Sequence, residues 1–389
     1  MKAVLSKLRK YMILTQGILR SKKCVDNNDT LIIFNAAFGD AVLFQDHLKY
    51  LVELYERENR NLCMIARRSV RSFYTEILNF DERYFNPCVY TEHYSDWVEI
   101  IRVFKNVEFK NVYAKDGLGS CVIVANINAE KKIRLSSQEE LKGREIMHKF
   151  FSNLCFTKTI TVPMKTWELE RHKRFFEETE GITLQTTIPD MKSKLTLEKI
   201  KFNNPSYAVI CVDSSVPYRR WKLECWRELA QKLHDKYSFD ICYVGEKRNE
   251  DFDVLLLNCE PYVHDYVGRT TLRQWFSLIR YSAIVLSVDS GIIHVAASLG
   301  VPSACLRGFY ELDKYFPYRS LDSRGVPLCI TAKRAYSCQG CLQRRRVMKE
   351  KNKACYDACF SRSDIMFCLF DIETEDVFRQ IEGYLKLGG

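Results

Sequence analysis

Residues Ala283 to Gly308 read AIVLSVDSGIIHVAASLGVPSACLRG. An apolar run, Ala283 to Val288, gives way to Asp289-Ser290-Gly291. A helix-period segment holding His294 follows, closed by Gly300 and Pro302, and then a second apolar run, Ser303 to Leu306. That order is strand, tight turn, helix, strand. In open α/β sheets ligands bind beyond the carboxyl ends of strands, where a helix start offers unpaired N–H groups and a positive dipole end. Gly291 permits close backbone approach, Ser290 adds a hydroxyl donor, and Asp289 can accept from a sugar hydroxyl or hold the turn. The plainer alternative is a βα turn whose Ser or Asp caps the helix.

The same pattern extends in both directions. Upstream, Thr271-Leu-Arg-Gln274 has capping-box spacing and starts a helix through Arg280. Tyr207 to Val212 predicts a strand, followed by the loop Asp213 to Trp221, a helix to about Tyr237, and a strand Asp240 to Val244 ending in Gly245-Glu246. The first half opens on a strand Thr30 to Asn35 and a helix from about Asp40 to Glu58. Leu62 to Ala66, Ser72 to Asn79, Asp96 to Phe104, Asn111 to Ala114 and Cys121 to Ile127 continue the alternation, with helices at Leu141 to Leu154 and Trp167 to Glu180. Repeated βαβ units predict an α/β fold with mainly parallel sheets.

A chain of 389 residues exceeds what one core supports, so two domains are expected. The boundaries read as a basic N-terminal segment 1–25, a Rossmann-like domain 26–188, a polar link 189–202, a second Rossmann-like domain 203–370 with a Cys-rich insertion 336–368, and a C-terminal helix 371–389. With 47% hydrophobic and 13% aromatic residues, global disorder is excluded. No apolar run reaches membrane-span length, and the N-terminus lacks a signal-peptide core, which together predict a cytoplasmic protein. Sixteen cysteines, mostly inside apolar runs such as those of Cys63, Cys121, Cys211, Cys242 and Cys305, fit reduced core thiols better than a secreted disulfide framework.

The net charge of +10 favours anionic partners without choosing among them. Between Met1 and Lys23, Lys2, Lys7, Arg9, Lys10, Arg20, Lys22 and Lys23 occur with no acidic residue, and Val4, Leu5, Leu8, Met12 and Leu19 are able to share a helical face. Such a basic amphipathic helix fits a membrane surface, or it packs on its own domain.

Two further corners carry candidate chemistry. Asn35-Ala-Ala-Phe-Gly39-Asp40 ends the first strand; Asp40 there is either a helix-dipole partner or a general base facing a cleft. In the second half Arg219, Arg220 and Lys222 fall between a strand and a helix, where a diphosphate would lie, and Glu246 stands where a ribose hydroxyl could be accepted. Cys338-Gln-Gly-Cys341 and Cys355-Tyr-Asp-Ala-Cys359 suit tetrahedral structural zinc, with unbonded or disulfide-paired thiols as the alternative.

These residues together resemble glycosyltransferase family nine, the heptosyltransferases of lipopolysaccharide core synthesis. Gly268, Thr270, Leu272, Asp289, Ser290, Gly291, His294, Ala296, Leu299, Gly300, Pro302 and Gly308 follow the family's C-terminal pattern in order. Gly39-Asp40 matches its Gly-Asp pair after the first strand. Arg219, with Arg220 beside it, Trp221, and Trp226-Arg227-Glu228-Leu229 match its basic residue, Trp and following helix, and Glu246 its later Glu. The chain departs from the pattern in having Arg219 for the usual Lys and Lys222 for the usual Pro.

The resemblance implies a GT-B fold, two Rossmann-like domains whose parallel sheets face an interdomain cleft. It implies an inverting glycosyltransferase with Asp40 as catalytic base. Arg219, Arg220, Lys222, Glu246, Asp289, Ser290, Gly291 and His294 would bind the donor, a nucleotide-diphosphate sugar of ADP-heptose type. The acceptor would be a lipopolysaccharide, lipid-linked or other glycan hydroxyl at the inner membrane face. No cofactor is required for catalysis on this scheme. A related transferase using another nucleotide sugar is the nearest alternative. A nucleic-acid-binding protein leaves the Asp289 to Pro302 block unexplained, and no nucleic-acid partner is expected; a degenerate transferase serving as a scaffold is a further alternative, separated from the enzyme by donor hydrolysis or transfer.

Overall fold

The computed structural model describes residues 29–91, 93–115, 117–137, 153–163, 165–200, 204, 206–214, 219–257, 259–309, 314–318, 325–334 and 367–387. The basic segment 1–25, the cysteines at 338, 341, 355 and 359, and nearly all of the helix expected at 141–154 lie outside these residues. The chain divides into two compact units, Met1–Gln185 and Thr186–Gly389.

Unit 1 has, among the described residues, a six-stranded parallel sheet. Its strands are β1 (Thr30–Phe34), β2 (Leu62–Ala66), β3 (Phe85–Val89), β4 (Glu108–Lys115), β5 (Asn128–Ser137) and β6 (Lys158–Val162). Their order is β3-β2-β1-β4-β5-β6, the doubly wound arrangement. Helices α1 (Phe38–Arg57), α2 (Arg68–Ser72), α3 (Tyr94–Phe104), α4 (Leu118–Ala125) and α5 (Glu168–Glu180) connect or cover them, and a π-helical turn, Phe73–Ile77, extends α2. TLIIF of β1 is buried at every position, as a strand covered on both faces must be. The apolar stretch Cys121 to Ile127 falls mostly within α4, whose residues from Gly119 to Ala125 are all buried. A helix apolar all round is one that is wholly enclosed.

Unit 2 repeats the plan. Its strands are β7 (Tyr207–Cys211), β8 (Asp240–Tyr243), β9 (Val263–Asp265), β10 (Ile284–Val288), β11 (Ser303–Leu306) and β12 (Leu328–Ile330), ordered β12-β11-β10-β7-β8-β9 and all parallel. Its helices are α6 (Leu223–Tyr237), α7 (Glu250–Leu256), α8 (Leu272–Arg280), α9 (Gly291–Ser298), α10 (Phe367–Phe370) and α11 (Thr374–Lys386). The capping box of α8 forms as its sequence predicts: Thr271 N–H donates to Gln274 Oε1 at 2.9 Å and Gln274 N–H to Thr271 Oγ1 at 3.2 Å.

The polar stretch 189–202, expected as a link, is strapped to unit 2 where it is described. Met191 is fully buried, its N–H donates to the Ser298 carbonyl at 2.8 Å, and Tyr281 Oη donates to the Leu197 carbonyl at 2.7 Å. The C-terminal helix α11 packs on α6, burying Val377 and Ile381. The indole N–H of Trp221 donates to the Ile372 carbonyl at 2.8 Å, and Trp221 meets Trp226 edge-on at 4.9 Å. The tryptophans flanking the start of α6 are thus core groups.

In each sheet the winding reverses at one place, between β1 and β4 in unit 1 and between β7 and β10 in unit 2. Ligands of doubly wound sheets bind outside the carboxyl ends of the strands at such reversals. Asn35 and Lys115 stand at the first, Asp213 and Asp289 at the second.

Candidate active site

At the reversal in unit 1, β1 runs through Asn35-Ala36-Ala37 into α1, and Asp40 occupies its first turn. Asp40 is 8% exposed. One carboxylate oxygen accepts the Ala37 N–H at 3.0 Å; the other lies 3.0 Å from the ammonium of Lys115, the last residue of β4. Lys115 also reaches Glu168 in the first turn of α5, at 2.7 Å. Glu168 is fully buried, 3.2 Å from Arg171 and 3.5 Å from His172. Burial opposes the Lys115 charge, but Asp40 and Glu168 outweigh it and raise its pKa, so the ammonium is held protonated.

Beside this cluster an apolar recess opens between Phe34, Phe44, Leu135 and Phe176, with Lys115 and His172 at its wall. Asn35 ties the corner together through an amide that donates to Ser120 Oγ at 2.7 Å.

His47, one helical turn beyond Phe44 on α1, is buried against His172 at 5.6 Å and Phe176 at 5.9 Å between ring centroids. Neither ring nitrogen has a hydrogen-bond partner among the described residues. Burial first, and His172 second, push its pKa down to about 3. Its ordinary value in an unfolded chain is about 6.5. Above that pH the ring is neutral in both states and contributes no pH dependence. As pH falls below it, the unfolded chain gains a proton that the folded one refuses, so stability declines from about 6.5 down to about 3. Between pH 7 and pH 5 this residue is expected to cost roughly 2 kcal/mol, at ~1.4 kcal/mol per pH unit. Urea unfolding at the two pH values should show a smaller loss in His47→Leu than in the parent; equal losses would show that His47 is not the source.

In unit 2 the reversal gathers Arg219, Asp289, Ser290 and Gly291. Arg219 donates to the Asp289 carbonyl at 3.1 Å and lies 3.6 Å from its carboxylate; Asp289 is 4% exposed. Ser290 is the residue before α9, in extended conformation, and its side chain makes no capping bond. Its hydroxyl lies 2.8 Å from Ser287 Oγ, which donates its own proton to the Cys211 carbonyl at 2.7 Å. A hydroxyl has one proton. Ser290 is therefore the donor in that pair, and what it presents to a ligand is backbone N–H and oxygen lone pairs, not the hydroxyl donor expected from its position.

The other predicted donor residues have various surroundings. Arg220 pairs with Asp251 at 3.1 Å. Lys222 lays its ammonium over the Phe370 ring at 3.9 Å. Glu246 is exposed beyond β8. Burial raises the pKa of Asp213, with Asp251 and Glu246 adding to the rise and Ser214 N–H and Arg220 opposing it. His294 is buried, stacked on Phe316 at 4.8 Å, with Nδ1 hydrogen-bonded to the Tyr318 hydroxyl. It underpins α9 from within the core. Among the described residues no group of His, Cys, Asp and Glu is placed to hold a metal, and the four predicted zinc ligands lie outside them.

Sequence reasoning missed Lys115, Glu168, Arg171 and His172. Lys115 had a signal: it ends an apolar strand ahead of Asp116-Gly117, a strand end and turn of the same kind as those before Asp40 and Ser290.

Two doubly wound parallel sheets, each with a polar corner at its reversal, are the sheets of a GT-B glycosyltransferase. Residues 114–324, more than half of the chain, match the family model described as Glycosyltransferase family 9 (heptosyltransferase), and the chain belongs to that family. It is 26% identical over 113 residues to the lipopolysaccharide core heptosyltransferase OpsX of Haemophilus influenzae, covering 28% of this chain and 32% of that one. To the lipooligosaccharide heptosyltransferase 2 of Haemophilus ducreyi it is 32% identical over 91 residues, covering 22% and 26%. The chain thus spans about a third or less of the curated relatives it matches. Among solved structures, a family 9 glycosyl transferase from Veillonella parvula aligns with a TM-score of 0.61 at 15% identity, covering 94% of this chain and 99% of that one. The E. coli heptosyltransferase WaaC with ADP aligns at 0.59 and 14% identity, covering 92% and 99%. At such identities the structural likeness bears on fold. Among the described residues no helix is long and apolar enough to cross a membrane.

Proposed function

We propose that the chain is an inverting glycosyltransferase that moves a heptose-like sugar from an ADP-sugar donor to a hydroxyl of a lipopolysaccharide-type or lipid-linked acceptor on the cytoplasmic side of a membrane. The observation that carries this reading is the pair of polar corners at the two sheet reversals. Asp40 supplies a carboxylate in one; Arg219 and the start of α9 supply a cation and a helix N-terminus in the other.

The reaction follows from those parts. Asp40 takes the proton of the acceptor hydroxyl as its oxygen attacks the anomeric carbon. The bond from that carbon to the diphosphate breaks on the opposite face, so one displacement inverts the centre. The leaving diphosphate gathers negative charge, which Arg219 and the backbone N–H groups at the head of α9 stabilise. Arg220 and Glu246 serve the donor from the neighbouring loops. His294 acts indirectly, by fixing α9.

The reading is supported by the family and by the names of its relatives: OpsX is a lipopolysaccharide core heptosyltransferase, and WaaC was solved with ADP. The test is transfer itself. The purified chain should convert ADP-heptose and a heptose-free lipopolysaccharide core to product detectable by mass spectrometry. In the same preparation ADP at a hundredfold its Kd is expected to add about 2.7 kcal/mol of stability, a rise in Tm of several degrees, and Arg219→Ala should remove most of it. No transfer together with no rise would refute the proposal. A rise with a different nucleotide would move the donor assignment to another nucleotide sugar.

A further inference from the structure

Asp40 is not alone in its corner. Its carboxylate is anchored at both oxygens, one by the Ala37 N–H at 3.0 Å and one by the Lys115 ammonium at 3.0 Å. Each carboxylate oxygen can accept a second hydrogen bond, so the anchoring sets direction without using up the acceptor. Lys115 in turn spans two anions, and Glu168 is the nearer at 2.7 Å. A fully buried carboxylate is retained only where it is paired, and Glu168 has Lys115 on one side and Arg171 at 3.2 Å on the other. As the second carboxylate on that ammonium it changes what Lys115 does to Asp40.

We propose that Lys115 is a positioning residue for the transfer reaction: shared between Asp40 and Glu168, its ammonium keeps the Asp40 carboxylate ionised and aimed, while Glu168 draws off enough of its field to leave Asp40 able to take a proton. The inference rests on Asp40 being the base. Lys115 on Asp40 alone would hold the carboxylate so firmly anionic that proton uptake would be opposed. With no cation beside it, burial would push the Asp40 carboxyl toward its neutral form. The divided ammonium lies between these limits. The other charged or titratable groups facing the corner are Arg171 and His172 on α5 and Tyr74, whose hydroxyl donates to the Ala41 carbonyl at 2.8 Å and feels the charges of Asp40 and Asp46.

The two partners predict opposite displacements of one curve. The measurement is kcat against pH at saturating substrates for the parent, Lys115→Met, Lys115→Arg and Glu168→Gln. In Lys115→Met the acid limb should move to higher pH by on the order of one unit. On the acid side of the limb, turnover should then fall by up to roughly tenfold relative to the parent, be regained as pH rises above the limb, and leave the donor KM little changed. In Glu168→Gln the limb should move to lower pH, because the ammonium is then committed to Asp40, and the plateau should drop. Lys115→Arg, which keeps the charge, should hold the limb near the parent's position. Lys115→Arg and Glu168→Gln preserve charge or shape, so the test stands even where Lys115→Met fails to fold. Variants that lower kcat equally at every pH, with the limb unmoved, would reduce Lys115 to a structural part and overturn the proposal. If Asp40→Asn is inactive while the limb stays unmoved, only the role of Lys115 fails. If Asp40→Asn is fully active, the base assignment has failed instead.

Discussion

Replacing Asp40 with asparagine is expected to lower kcat by roughly two to four orders of magnitude, the range that positioned general bases contribute, while the affinity for ADP stays within about threefold by calorimetry. The amide oxygen can still accept the Ala37 N–H, so the start of α1 keeps that bond. What is lost is a negative charge in the first turn of a helix, worth about 0.3–1 kcal/mol, and one of the two anions on Lys115. Glu168 still holds that ammonium at 2.7 Å, so no buried cation is stranded. The folded protein should persist, with Tm lower by a few degrees at most. Chemistry and donor binding separate in this variant because Arg219, Asp289 and the head of α9 belong to the other unit. A kcat within a few fold of the parent would remove Asp40 from the reaction and leave it as an ordinary helix-dipole partner.

The parts of this arrangement that could be read from sequence are those whose cause is local. Ala283 to Gly308 forms strand, turn, helix and strand at nearly the predicted bounds because apolar runs, Gly291, Gly300 and Pro302 act over a few residues. The capping box at Thr271 is local for the same reason. β5 was missed. Its sequence NAEKKIRLSS carries Lys131, Lys132 and Arg134, which hide the strand pattern, yet it pairs with both β4 and β6 and buries Arg134 completely. Tertiary context overrides propensity there.

The site divides along the same line. Asp40, Arg219 and Asp289 lie at chain corners that composition reveals. Glu168 sits in an amphipathic WELERH run that reads as any helix start, and its burial exists only because α5 meets the end of β4. The hydroxyl of Ser290 looked available until Ser287, whose proton goes to Cys211 on the neighbouring strand, claimed it.

The largest loss of stability is expected at the far end of the same helix. Glu180 closes α5 twelve residues after Glu168, a separation of about 18 Å at 1.5 Å per residue. A carboxylate in the last turn of a helix opposes the dipole, so its burial needs compensation from elsewhere. Three donors supply it: the hydroxyls of Tyr55 on α1 and Tyr113 on β4, and the guanidinium of Arg60, 2.9 Å from Oε2. Burial raises the pKa of both tyrosines, and the charge of Glu180 adds to this, so their protons stay in place as donors. Arg60 also lies over the Tyr55 ring at 3.8 Å. Glu180→Ala would remove the acceptor of the Tyr113 hydroxyl and the buried anion beside Arg60, which is left with the exposed Glu58 carboxylate at 3.1 Å, while the Tyr55 hydroxyl retains Thr30 Oγ1 at 3.0 Å. Breaking a buried charge pair from one side costs about 3–5 kcal/mol, so Tm should fall by on the order of 10 °C. Glu180→Gln, which keeps acceptor and volume, should lose less. At temperatures where Glu180→Ala remains folded its kcat and KM should match the parent's, because among the described residues Tyr55, Tyr113 and Arg60 make no hydrogen bond to Asp40, Lys115 or Glu168. A stable but slow Glu180→Ala enzyme would mean that the two ends of α5 are coupled, and that the corner holding Asp40 depends on how the last turn is anchored.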